Sequence, residues 1–107
     1  MTDKILILDN YMINIEDVKI NLSRICGQIF RLLPTREEGE DWIKPLETLI
    51  IELLGMSSFM QNQTKLFSLC CKLQGLHEAG KDIEFAVFRR TIFEACNLVS
   101  DIKSSFE

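Results

Sequence analysis

The sequence predicts an all-α fold: an antiparallel four-helix bundle with a short extended N-terminal arm. Three observations carry this expectation. Apolar residues return every three or four positions along four separate stretches, the spacing of one helical face. Glycine, proline or a capping side chain stands between those stretches. After Leu33 no stretch alternates apolar and polar residues with the period of a strand. The helices are expected at about 15–33, 42–54, 58–79 and 82–103, within one domain covering 1–107. Short loops make neighbours in sequence neighbours in space.

The arm comes first. Ile5, Leu6, Ile7 and Leu8 form an apolar run before Asp9-Asn10. An isolated strand would leave its backbone groups unpaired, so pairing with a second copy of the chain is one way to satisfy them. A helical start is another reading of the same residues.

The first helix begins near Ile15, with Asn14 as candidate N-cap and Asp17 suited to the positive dipole end. Ile15, Val18, Leu22, Ile25, Ile29 and Leu32 make its seam, and Pro34 is expected to stop it. Gly27 inside it is tolerable if another backbone packs close. In the polar stretch Thr35–Asp41, Thr35 and Glu38 match a capping box, and Asp41 can cap the second helix. Pro45 then sits in that helix's first turn, where its missing N–H is not needed.

The second helix carries Trp42, Leu46, Leu49 and Leu53 on one seam, and Gly55 is its expected stop. Ile43, Ile50, Ile51 and Leu54 widen the seam over most of the circumference. Such a helix is either central or covered by a partner. Ser57 or Ser58 can cap the third helix, whose seam is Phe59, Leu66, Leu69, Leu73 and Leu76, with Asn62 among them. Gly80 ends it. Asp82 can cap the fourth, with Phe85, Phe88, Ile92, Ala95, Val99 and Ile102 on its seam and Phe93 and Cys96 on a second line.

At 107 residues roughly 60–65 % of the unfolded surface can be buried. Apolar residues make up 47 % of the chain, rich for so small a core, so some of them are expected to face a partner. No apolar run approaches the roughly 20 residues that span a bilayer. No signal-peptide pattern opens the chain, and the expected compartment is the cytoplasm. A net charge of −4 without a basic block argues against nucleic acid as partner. The four cysteines, Cys26, Cys70, Cys71 and Cys96, are expected to be free buried thiols.

KILILDN (Lys4–Asn10) and NIEDVKINLSRI (Asn14–Ile25) resemble the first strand and first helix of a phosphorylatable receiver domain. Asp9 would match the acidic residue after that strand, with Asn10 in place of a second one. The resemblance implies a phosphorylatable Asp after a third strand, a Ser or Thr after a fourth and a Lys after a fifth. After Leu33 the patterns are helical, and neither Asp82 nor Asp101 ends a strand-like run. The Mg²⁺ site of a receiver has no residues to build it, and the likeness ends with the first helix.

Little else points to chemistry. There is no Gly-rich phosphate loop and no His-Glu-x-x-His. The only histidine, His77, falls on the seam side near the end of the third helix, where a protonated imidazole suits the dipole. It could ligate a metal or haem only with Cys70, Cys96 or Cys26 reaching across the bundle. Cys70 and His77 stand about 10 Å apart along one helix, too far for a direct nucleophile–base pair. No catalytic residue, metal site or cofactor is therefore expected.

The expected function is protein–protein interaction as a homodimeric regulator, adaptor or assembly subunit, and not an enzyme. Candidate interface residues are Ile5, Leu6, Ile7 and Leu8 of the arm and Trp42, Ile43, Ile50 and Leu54 of the second helix. The acidic loop Glu37, Glu38, Glu40 and Asp41 would tune partner choice electrostatically. The alternative is a small-molecule, haem or metal sensor that uses the bundle interior.

Overall fold

A computed structural model describes residues 5–8, 11–57 and 64–105, with side chains from Ile15 onward. Strands β1 (Ile5–Leu8) and β2 (Tyr11–Asn14) pair antiparallel, Ile5 opposite Asn14 and Leu8 opposite Tyr11. The arm is thus one strand of a hairpin closed within the chain. Its pairing is with β2, not through a crossover helix as a receiver's first strand would require.

Helix α1 (Ile15–Glu37) follows β2 directly. It runs one turn past the expected stop at Pro34. A proline this close to the end removes only the bond its N–H would give to Phe30, and the turn survives that loss. What ends α1 is Gly39, at φ 75°. Gly39 N–H bonds to the Arg36 carbonyl at 3.0 Å and Glu40 N–H to the Thr35 carbonyl at 3.0 Å. This crossed pair around a left-handed glycine satisfies the last carbonyls. Thr35 is therefore helical, and its hydroxyl donates to the Arg31 carbonyl at 2.9 Å instead of forming a capping box.

Helix α2 (Ile43–Ser57) starts as the sequence suggested. The Asp41 carboxylate accepts from the N–H of Ile43 at 2.9 Å and of Lys44 at 3.4 Å. Gly55 does not stop it, since helical glycine costs only about 1 kcal/mol, and Ser57 lies in its last turn. Helix α3 spans Thr64–Ala79. Ser58, Phe59 and Asn62 lie outside the described residues. Gly80, at φ 75°, ends α3 and opens a 3-10 turn over Gly80–Asp82. That turn takes up Asp82, so the cap of α4 (Phe85–Ser104) is Glu84, which gives no side-chain bond.

The helices form a ring in which each packs against the next and α4 closes back on α1. Contacts along three of the pairs show antiparallel neighbours. Asn21 meets Met56 and Arg24 meets Glu52 between α1 and α2. Lys65 pairs with Asp101, and Lys72 with Glu94, between α3 and α4. Ser23 meets Lys103 and Phe30 meets Phe93 between α1 and α4. One core lies inside, and the predicted seams fill it: Leu22, Ile25 and Ile29, Leu46 and Leu53, Leu66 and Leu73, Phe88 and Ile92 have no exposed surface. Gly27 faces open space, with no backbone packed against it.

Candidate functional site

The α2–α3 pair carries apolar side chains that the core does not use. On α2, Leu46, Leu49, Ile50 and Leu53 turn inward. Ile51 and Leu54 fall on the flank toward α3 and stay 69 % and 45 % exposed. On α3, Leu66, Leu69, Cys70, Leu73 and Leu76 turn inward. Phe67, also 69 % exposed, shares a helical stripe with exposed Cys71 and Gln74. A groove of about 470 Å³ runs between the two helices, lined by Glu47, Ile50 and Ile51 on one side and Gln74, His77 and Glu78 on the other. Glu47 Oε1 stands 3.2 Å from His77 Nε2 across it. The result is an uncharged apolar stretch (Ile51, Leu54, Phe67) with its charges gathered at one end.

Several expectations shift. Trp42 is buried, its ring edge-on to Phe88 at 4.7 Å between centroids. Ile50 is core and Ile43 half-buried. Of the four residues proposed for the exposed arc of α2, only Leu54 is fully on the surface. A helix apolar nearly all round gives its periodicity no single direction, and here the Trp42 side won the interior. The side chains of Ile5, Leu6, Ile7 and Leu8 lie outside the described residues, although the backbone of this run is engaged by β2.

The acidic residues group at the α1–α2 turn. Glu37 ends α1, and Glu38, Glu40 and Asp41 follow, all exposed. Asp41 serves the N-terminus of α2 through its carboxylate, so its first role is structural. Beside it Arg36, in the last turn of α1, lies over three rings: 4.7 Å from Phe88, 5.6 Å from Phe85 and 5.9 Å from Trp42. It also donates to the Ile83 carbonyl, tying α1 to the loop before α4. Such packing suits guanidinium, whose faces stack on rings while its edge keeps donors.

His77 is exposed, on the flank of α3 that lines the groove with Gln74 and Glu78. It is not assembled with the thiols. Cys70 is buried inside α3, while Cys26 and Cys96 meet on the opposite side of the ring, where the Cys96 thiol donates to the Cys26 carbonyl at 3.7 Å. All four cysteines are free, but only Cys70 is fully buried, and Cys71 is exposed. Burial, then neighbouring Cys71, pushes the Cys70 thiol up. Burial, then neighbouring Cys26, pushes the Cys96 thiol up to about 12. Among the described residues no three His, Cys, Asp or Glu side chains cluster as a metal site, and no helix is long and apolar enough to cross a membrane. The sequence reading missed Phe67 as a surface residue and Arg36 altogether. For Phe67 the signal was present, since it stands one position off the seam of α3.

Comparison of the chain with protein-family models, with curated proteins and with solved structures finds no match.

Proposed function

We propose that the chain is a protein–protein interaction module that self-associates through the outer face of α2 and α3. The observation that carries this reading is the set Ile51, Leu54 and Phe67, exposed on one face with core seams already complete behind it. Water is a poor neighbour for such a face, and a second copy supplies the missing cover. A two-fold arrangement with the helices crossing antiparallel lays apolar residues on apolar residues. It also places the end of each copy that carries Glu47 and Glu78 over the uncharged end of the other, keeping like charges apart. The acidic loop then sets which partners are rejected. Regulator, adaptor and assembly subunit all fit such a module, and no residue on the face argues for catalysis.

Light scattering on the eluting protein tests this. The expected mass is twice the 12.4 kDa of one chain, falling to one chain in an Ile51→Asp/Phe67→Asp variant whose helical circular dichroism is unchanged. A wild-type monomer at high micromolar concentration overturns the reading, as does a dimer that the double variant leaves intact.

A further inference from the structure

The α1–α4 seam holds two thiols that the proposed self-association does not use. Cys26 and Cys96 are both half-buried and both free. They stand 70 residues apart in sequence, yet the Cys96 thiol bonds to the Cys26 carbonyl at 3.7 Å, which brings the two residues face to face across the seam. Contacts on either side hold this register. Lys103 Nζ meets Ser23 Oγ at 2.7 Å on one side, and the Phe30 and Phe93 rings meet at 5.8 Å on the other. The other cysteines have no such partner: Cys70 is enclosed, and Cys71 beside it points outward.

We infer that Cys26 and Cys96 are a redox modification site, a dithiol that a low-molecular-weight disulfide such as glutathione disulfide converts into a bond stapling α1 to α4. The chemistry is two successive exchanges. Cys26 loses its proton and attacks one sulfur of glutathione disulfide. That S–S bond breaks, a mixed disulfide forms, and one glutathione leaves and takes up a proton. Cys96 then loses its proton and attacks Cys26 Sγ, which displaces the second glutathione. Two protein thiols have given up two protons and two electrons, and the oxidant has become two thiols. Partial exposure lets the oxidant in, while the approach of the Cys96 thiol to the Cys26 backbone gives the second step its partner. Burial pushes the Cys96 thiol up, so closure quickens as pH rises.

The test is incubation of the folded protein with glutathione disulfide at pH 8, followed by denaturation, alkylation and peptide mapping. The expected product is a Cys26–Cys96 linked peptide, formed equally well in a Cys71→Ser variant. The linked protein should melt higher by roughly 10 °C, because so long a closed loop constrains the unfolded chain. A Cys96→Ser variant should stop at a glutathione adduct on Cys26 and show no rise in melting temperature. Adducts on single cysteines without the linkage overturn the inference, as does a linkage that appears only after denaturation. The outcome does not depend on whether the α2–α3 face self-associates, since the thiols lie on the far side of the ring.

Discussion

The α1–α4 and α2–α3 pairs are built on the same inward repeat and differ on the outside. Across α1–α4 the outer residues find one another: Phe30 with Phe93, Cys26 with Cys96, Ser23 with Lys103. Arg89 lies 4.9 Å over the Phe93 ring and covers it further. Across α2–α3 the outer apolar residues Ile51, Leu54 and Phe67 remain open to water. The difference teaches that an apolar surplus has two fates. Across α1–α4 part of it pairs with itself, although Phe30 and Phe93 stay 49 % and 37 % exposed, whereas across α2–α3 Ile51 and Phe67 stay 69 % exposed, so the second is where a partner has more to gain.

Substitutions on both pairs probe the contrast, beginning with what the pairs share. Leu73→Ala in α3 and Ile92→Ala in α4 remove fully buried side chains and should each cost about 2–5 kcal/mol in urea unfolding. A much smaller loss on the α3 side alone would mean that its interior is looser, and the contrast would then be one of packing rather than of outer cover. Phe93→Ala should cost about 1 kcal/mol by loss of the ring pair, whereas Phe67→Ala, measured in dilute protein, should stay within about 0.5 kcal/mol. Equal losses would erase the distinction. Gly27→Ala runs the other way: with open space around the added methyl, the helix should gain about 0.5–1 kcal/mol, read as a raised melting temperature.

What the sequence disclosed follows from how local each cause is. The seams of all four helices and the Asp41 cap were legible, because a repeat of three and four residues, or a carboxylate two residues before a helix, acts within one turn. The end of α1 was misread, since a proline near a terminus forfeits one bond and Gly39 was the stronger signal. Trp42 stood both on the seam of α2 and among the candidate interface residues, because α2 is apolar on nearly every side, and its packing against Phe88 of α4 shows that it belongs to the seam alone. Meetings between helices such as Cys26 with Cys96 or Glu47 with His77 depend on register across the ring, and no spacing along one helix encodes that.

The ring order has a mechanical consequence. Because α4 lies antiparallel beside α1, Lys103 near the end of the described chain touches Ser23 near the start of the bundle. Tension on the two ends therefore pulls the first and last helices apart crosswise to their long axes. Their contacts would open in succession, like a zip, instead of all sharing the load at once. The bundle would yield to a weak pull along that line, and a bond between Cys26 and Cys96 would halt the peeling within its first few turns.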